Sequence, residues 1–329
     1  MRGWVAVRRG GIVESVHEII ATAVSDAGEI LTLGNADTVT FLRSSAKPFQ
    51  TTGFLLSGAR DEFPVTEADI ALITASHSGE PIHTERVAEL LAMAGLGPEH
   101  LLCGAHMPYD DETAKALTGP PTTLHSNCSG KHTGMLLQAV HEKLDLQYLP
   151  PDHPIQVRNR ATVAAFADME PEQLGVGVDG CGVPTFALPV RRMALAYRRL
   201  AKPEGLPDAL GRASREVLRA MARHPRLVSG RGRFGTDVMT AFGGRLAAKG
   251  GAEGVFCAVF PEDGSAIALK VADGSSRPIP VAFTAIVKRL GLAGRADEGA
   301  LKALGDVEIR NVAGRVVGDM EMHFEDTSA

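Results

Sequence analysis

Residues 254–272 read GVFCAVFPEDGSAIALKVA. Two apolar, β-rich runs flank the polar segment 261–265, and its Asp263-Gly264 pair is a strong signal for a hairpin turn. The stretch therefore predicts two antiparallel strands towards the end of the chain. Further strands are predicted within residues 306–312 and 315–324.

The start of the chain shows the same pattern. Short β-rich runs divided by glycine-containing turns occupy residues 4–7, 16–24 and 29–34. Strands from both ends of the chain are most economically combined in one sheet, whereas the middle shows helical spacing of apolar residues, as in 83–96. We therefore predict an α/β fold: a single domain over residues 1–329 with an antiparallel sheet from about 1–40 and 250–329, flanked by helices, and a helical insertion over about 80–245.

The composition excludes several classes of protein. With 329 residues, 44% of them apolar, the chain is long enough to bury a large core. The net charge of −5, with both signs interspersed, leaves no basic stripe for nucleic acid. Because the N-terminus lacks the apolar run of a signal peptide and no stretch of 18 apolar residues occurs, we expect a cytoplasmic protein without membrane contact. The four cysteines are then expected to stay thiols, as core residues or as ligands.

Ser44 and Lys47 form a Ser-x-x-Lys pattern at a predicted helix start. A serine hydroxyl is a weak nucleophile and needs a base beside it, and a neutral lysine one turn further on can serve as that base. The alternative for this short pattern is a capping serine followed by a surface lysine.

A second pair of candidates lies further along the chain. Residues 68–81 resemble an apolar strand that ends at Ser76, a candidate nucleophile or orienting hydroxyl, with helix capping as the alternative. Lys249, in AAKGG, can present an amine to a cleft where glycines allow close approach. The order of Ser-x-x-Lys, serine and Lys-x-Gly is that of the penicillin-recognising serine hydrolases.

Cys128 and Lys131 lie three residues apart at a predicted helix start and therefore share a face. The helix dipole favours the thiolate and the neutral amine, which are the ligand forms of both groups. Together with Cys181 and a water they are able to complete a tetrahedral zinc site, although lysine is an unusual ligand. Structural cysteines are the alternative, and His125 and His132 are further candidate ligands.

Five ordered segments resemble the thermolabile, rhizobial-type L-asparaginases: RSSAKPFQ (43–50), ASHSGEP (75–81), LHSNCSGKHTGML (124–136), GVDGCGVP (177–184) and AAKGGAEGVF (247–256). That family resembles serine β-lactamases and Ser-x-x-Lys glutaminases in fold. The resemblance covers nearly the whole chain and is weakest over residues 200–235. It implies a homodimer, the pairs Ser44–Lys47 and Ser76–Lys249, and an accessory zinc site made by Cys128, Lys131 and Cys181 with Asp179 close by.

The resemblance implies hydrolysis of L-asparagine through an acyl-enzyme. Ser44 would attack with Lys47 as its base, and Ser76 and Lys249 would relay protons, although which serine is acylated stays open. Arg43 and Asp179 are candidates for substrate binding, and further cleft candidates are Arg231, Arg233 and Asp237. The alternatives are a glutaminase or β-lactamase-like serine amidohydrolase, a zinc-dependent amidohydrolase and a non-catalytic amino-acid-binding protein.

Overall fold

A computed structural model describes residues 1–326 of the chain. Its strands are β1 (Arg2–Arg9), β2 (Ile12–Ser25), β3 (Gly28–Leu33), β4 (Val39–Phe41), β5 (Gly175–Val178), β6 (Pro184–Pro189), β7 (Ala247–Gly251), β8 (Val255–Val259), β9 (Ala266–Val271), β10 (Glu308–Arg310) and β11 (Val316–Glu325). Its α-helices are α1 (Lys47–Leu56), α2 (Ala59–Glu62), α3 (Glu67–Ile73), α4 (Pro81–Met93), α5 (Asp111–Ala116), α6 (Ser129–His141), α7 (Pro154–Ala167), α8 (Val190–Ala201), α9 (Asp208–Arg223), α10 (Pro225–Ser229), α11 (Phe234–Ala241), α12 (Ile279–Arg289) and α13 (Glu298–Gly305).

The main sheet is antiparallel and combines strands from both ends of the chain. Its order is β10-β11-β1-β2-β9-β8-β7, with β3 also paired to β2. The predicted hairpin forms between β8 and β9, which pair from Val255 with Lys270 to Val259 with Ala266. The predicted α/β fold, with an antiparallel sheet from both termini and flanking helices, is therefore confirmed.

A second, three-stranded sheet of order β4-β6-β5 was not predicted. Its strands are only three to six residues long, and the sequence GVGV of β5 carries no alternation of large apolar and polar side chains. The sheet matters for the position of the site, because β4 ends just before Arg43 and β5 ends just before Asp179. The segments that carry Arg43 and Asp179, which are distant in sequence, are thereby placed side by side.

Helix α1 lies in the core of the molecule. Its residues 47–54 are all buried, and the Phe49 ring packs against Phe166 and against the edge of Tyr197. The Tyr197 hydroxyl donates a hydrogen bond to Ser45 O at 2.7 Å, just before the helix. Lys47, only 1% exposed, is therefore a core residue, and the alternative of a surface lysine is wrong.

The segment before Ser76 is a helix, so the prediction of a strand there is wrong. Helix α3 begins with a capping box between Thr66 and Asp69, and its residues 69–73 are all buried. A short apolar run that is buried on every side does not distinguish a helix from a strand by periodicity. Ser76 still lies on the loop that follows this element, as expected.

Within residues 1–326, no helix combines the length and the apolar character that crossing a membrane requires. All four cysteines are free thiols and buried.

Candidate active site

A cavity of about 690 Å³ opens between the start of α1, the loop after α3, the start of α6, the β5–β6 turn and the end of β7. Seven of the predicted site residues line it: Arg43, Ser44, Ser76, Cys128, Asp179, Cys181 and Lys249. The two others, Lys47 and Lys131, are buried behind its wall and contact residues that line it. The structure thus brings together all nine residues from five separate segments.

Ser76 is held between two buried lysines. Its Oγ lies 2.9 Å from Lys47 Nζ and 2.7 Å from Lys249 Nζ. Lys47 Nζ also donates to Ala75 O at 2.5 Å, and Lys249 Nζ to Gly250 O at 2.9 Å. A hydroxyl with an amine on either side can accept a proton from one and pass its own to the other.

Lys249 is adapted to act as a neutral amine. It is 1% exposed, and burial, followed by the charge of Lys47, lowers its pKa well below the usual range. Burial favours the uncharged form because an ammonium group loses favourable solvation when it is taken out of bulk water. A neutral Lys249 beside Ser76 has the lone pair that a general base needs.

Ser44 lines the cavity but is not hydrogen-bonded to Lys47. Among the hydrogen bonds of residues 1–326, those of Lys47 Nζ reach Ala75 O, Ser76 Oγ, Asn127 O and Cys128 Sγ, so the expected Ser44–Lys47 bond is not formed. The physical reason is that a buried lysine extends its long side chain towards the oxygen atoms that can satisfy its donors.

The backbone directly before Ser44 is strained. Arg43 has a φ of 51°, in the left-handed region that a residue with a side chain seldom adopts. Such strain costs free energy of roughly 1–3 kcal/mol and is concentrated at functional sites. Here it turns the chain sharply from β4 into the start of α1 and places Ser44 at the cavity.

The predicted metal-binding residues come together in one buried cluster. Lys131 Nζ lies 3.0 Å from Cys181 Sγ, and Lys47 Nζ lies 3.2 Å from Cys128 Sγ. The hydrogen bond from Cys181, with help from Lys47 and Lys131, holds the pKa of Cys128 well below its usual range although burial opposes this. The same hydrogen bond and burial raise the pKa of Cys181. The two sulfurs therefore share one negative charge.

The protonation state of Lys131 differs from the neutral amine that the helix dipole predicts. Burial favours its neutral form, but the charges of the sulfurs of Cys181 and Cys128 outweigh burial and raise its pKa. Without a metal, this lysine is an ammonium group that neutralises the thiolate. It has to release a proton before it can bind a cation.

Two thiols and an amine form a donor set that suits zinc, with a fourth position left for water or substrate. In the part of the chain that the structure describes, no group of three or more His, Cys, Asp and Glu residues is arranged to hold a metal ion. A site here therefore depends on Lys131 as the third donor. The other candidate ligands, His125 and His132, do not line the cavity. His132 Nδ1 lies 2.9 Å from the Tyr148 hydroxyl, and His125 Nδ1 lies 3.0 Å from Thr122 Oγ1.

Arg43 and Asp179 form an ion pair on the cavity wall. Arg43 Nε and Nη2 donate to Asp179 Oδ1 at 3.0 and 2.8 Å. Burial opposes ionisation of Asp179, but Lys131 and Arg43 outweigh it and hold the pKa of the carboxyl below its usual value. The guanidinium of Arg43 is thus already engaged by a carboxylate of the protein.

The three cleft candidates from residues 224–237 have different surroundings. Arg231 pairs with Asp110 and Glu112 away from the cavity, and Asp237 is not among the residues that line the cavity. Arg233 does line it. Three further residues line the cavity that were not predicted: His106, Tyr109 and Asn127. His106 and Tyr109 lie on an irregular segment without a recognisable motif, whereas Asn127 lies in a recognised motif but was not singled out beside Cys128.

Comparison with known proteins defines the class of this protein. Residues 5–322 match the model of one family of amidohydrolases, which places the chain in that class of enzyme. The family is L-asparaginase II, and the chain belongs to it.

Among solved structures, the chain is similar to a β-lactamase from Mycobacterium bovis. The two are 16% identical, with a TM-score of 0.44, over 84% of this chain and 95% of that chain. The chain is also similar to a protein named Mglu in its native form, at 14% identity and a TM-score of 0.39, over 83% of this chain and 64% of that chain. A search of the curated proteins gives no match.

Proposed function

We propose that the protein hydrolyses the side-chain amide of L-asparagine to L-aspartate and ammonia. Membership of the L-asparaginase II family supports this substrate. The observation that carries the proposal is the hydrogen-bonded array of Lys47, Ser76 and Lys249, on the wall of a cavity that Ser44 shares. Such an array can move protons to and from a serine nucleophile and a leaving amine.

Ser44 is the residue we expect to be acylated. Ser44 lines the cavity, and the strained Arg43 directly before it sets its position. Ser44 also lies in the first turn of a helical segment, where N–H groups have no intrahelical acceptor and can stabilise an oxyanion. The Oγ of Ser76, in contrast, is already bound by two lysines, which suits a relay better than a nucleophile.

The proton path follows from these contacts. Before the attack, Lys47 passes a proton through Ser76 to the neutral Lys249. As the Ser44 Oγ bonds to the amide carbon, its proton then passes to the neutral Lys47 amine, one turn further along the chain. Ser76, which contacts both lysines, passes a proton to the leaving nitrogen, which departs as ammonia. Water then attacks the ester, the proton returns to Ser44 Oγ, and L-aspartate is released. We expect a Ser44–Lys47 hydrogen bond to form only when substrate binds, because catalytic hydrogen bonds are often long or poorly aligned in the free enzyme.

Cys128, Lys131 and Cys181 are the residues that would hold an accessory zinc ion. When bound, the ion supplies positive charge at the cavity wall, and we expect it to aid substrate binding more than the chemical step. The proton transfers above use the serines and lysines of this chain alone.

The first test is ammonia release from L-asparagine and L-glutamine by metal-replete and chelated protein. Ser44→Ala should lower kcat about 10⁴-fold or more, as loss of a nucleophile does. Ser76→Ala should lower it about 10²- to 10⁴-fold, as loss of a proton-transfer group does. Ser57→Ala, at the far end of α1, is the matched control and should leave kcat unchanged.

Three outcomes of this test are informative. Partial activity after chelation, combined with an inactive Ser44→Ala variant, supports the serine mechanism. Near-normal turnover by Ser44→Ala contradicts the assignment of Ser44 as the nucleophile. If chelation abolishes turnover while Ser44→Ala still works, metal-bound water carries the chemistry instead.

For the whole protein we further propose a homodimer located in the cytoplasm. Light scattering coupled to size-exclusion chromatography, on protein purified from its own cells by fractionation, tests both proposals. A monomeric mass contradicts the first, and recovery outside the cytoplasmic fraction contradicts the second.

A further inference from the structure

Arg233 presents a cation to the cavity and has no carboxylate partner among the residues that the structure describes. Its guanidinium lies 5.3 Å from the centroid of the Tyr109 ring, and both residues line the cavity. Within residues 1–326, Arg233 takes part in no ion pair, whereas its neighbour Arg226 binds Glu80 at 2.6 Å and Arg231 binds Asp110 at 3.2 Å. The charge of Arg233 is therefore available to a ligand.

The other cations that line the cavity are not available in this way. Arg43 is paired with Asp179. Lys249 donates to Ser76 Oγ and to Gly250 O, and its burial favours the neutral amine. An anionic group that enters the cavity therefore finds its strongest unneutralised attraction at Arg233.

Stacked rings hold the Arg233 side chain in place. The guanidinium lies over Tyr109, whose ring stacks on His106 at a centroid distance of 4.7 Å. His106 Nε2 accepts a hydrogen bond from Asn127 N at 2.9 Å, and Asn127 O is 3.5 Å from Lys47 Nζ. Contacts of this kind orient an arginine while leaving its N–H groups free to donate.

The backbone that carries Arg233 is tied directly to the loop of Ser76. Ser76 N donates to Val228 O at 2.9 Å, and the buried carboxylate of Glu80 accepts from Arg231 N at 2.9 Å. Gly230 has a φ of +105°, and a Cβ there would lie 2.1 Å from Ser78 Oγ, so only glycine allows this close approach. Arg233 thus has a fixed position relative to Ser76.

We propose that Arg233 is the specificity residue that binds the α-carboxylate of the amino-acid substrate. This inference rests on the proposed function, because it names the group that recognises the same substrate. A guanidinium donates two parallel hydrogen bonds to a carboxylate, which fixes the orientation of the substrate as well as its charge. The enzyme should therefore prefer free amino-acid amides over amides that lack the carboxylate.

The experiment compares L-asparagine with 3-aminopropanamide, the same molecule without its α-carboxylate. Loss of a charge-assisted hydrogen bond in Arg233→Gln should raise KM for L-asparagine roughly 10- to 100-fold. The kcat for L-asparagine and the kcat/KM for 3-aminopropanamide should stay at the wild-type values. Arg233→Lys should recover part of the affinity, and the control Arg245→Gln, an exposed arginine beyond α11, should have no effect.

Calorimetric binding separates failure of this inference from failure of the proposed function. If the wild type releases no ammonia from L-asparagine, the proposed function is refuted, and the ratio of Kd values for the two amides still tests the carboxylate subsite. A ratio that falls towards unity in Arg233→Gln supports the subsite. An unchanged ratio, or an equal loss for both amides, overturns it.

Discussion

Lys249 has surroundings unlike those of an ordinary surface lysine. Its amine lies in the core between Ser76 Oγ and Gly250 O, and its pKa is lowered. Below that lowered pKa the amine is charged and unable to accept a proton. Above it, the amine is neutral and competent as a base, so kcat/KM should rise with pH through this value.

Replacing Lys249 with arginine, which stays charged at every accessible pH, tests its role as a base. Lys249→Arg should lower kcat about 10²- to 10⁴-fold and remove the acidic limb of the profile, because a guanidinium does not give up its proton. The pH–rate profile of kcat/KM for L-asparagine measures this. Lys288→Arg, on the exposed side of α12, is the control. An acidic limb that is unchanged in Lys249→Arg would assign the titration to another group.

The sequence predicted which residues line the site better than it predicted how they pair. Ser44, Ser76, Lys47 and Lys249 were all recognised from short motifs, yet both lysines contact Ser76 and neither is bonded to Ser44 in the described chain. Spacing along a helix fixes where a Cα lies. It does not fix where a side chain with four rotatable bonds reaches once it is buried, since that depends on acceptors from other segments.

Among the secondary-structure elements, too, those set by local sequence were predicted and those set by contacts with other segments were not. The long strand β2 and the β8–β9 hairpin were predicted because alternation and turn residues act locally. The small β4-β6-β5 sheet was missed because β5 carries no alternation of large apolar and polar side chains, and because β4 pairs with β6, which is distant in sequence. Helix α3 was taken for a strand for a related reason, because helices and strands look alike when every face is buried.

Helices α3 and α6 approach so closely that glycine is required at their contact. A Cβ at Gly130 would lie 2.2 Å from Leu72 O, a backbone atom that moves only if a helix moves. A Cβ at Gly134 would lie 2.6 Å from Ile73 Cγ2, the end of a side chain that can change rotamer. This contact fixes the start of α6, with Cys128 and Lys131, beneath the Ser76 loop.

Two alanine substitutions on α6 test this packing. Gly130→Ala should destabilise the fold by about 1–3 kcal/mol or more through overpacking, and Gly134→Ala by clearly less. Alanine is the better helix former, so propensity alone predicts stabilisation by both substitutions. Thermal unfolding, monitored by circular dichroism, distinguishes destabilisation by overpacking from stabilisation by helix propensity. Equal or stabilising effects at the two positions would show that the helices are free to separate.

At the scale of the whole molecule, the two ends of the chain pair with each other inside the main sheet. β1 pairs with β11 from Arg2 opposite Glu325 to Arg9 opposite Gly318, and β2 continues the sheet towards β9. The first and last strands therefore depend on each other, although more than 300 residues separate them. The helices and the site lie on the long connection between them.

This arrangement predicts that a circular permutant folds. Joining residue 329 to residue 1 by a short glycine-serine linker turns β11 and β1 into a hairpin, and opening the chain between Gly10 and Gly11 cuts only an exposed turn. Such sites tolerate new termini, so kcat/KM for L-asparagine should stay within about threefold of the wild type. A second permutant, opened between Thr52 and Gly53, cuts the buried α1 and should not fold. If both permutants fail to fold, the fold requires the natural termini and the prediction is wrong. If both fold, α1 is not the central helix that its burial indicates.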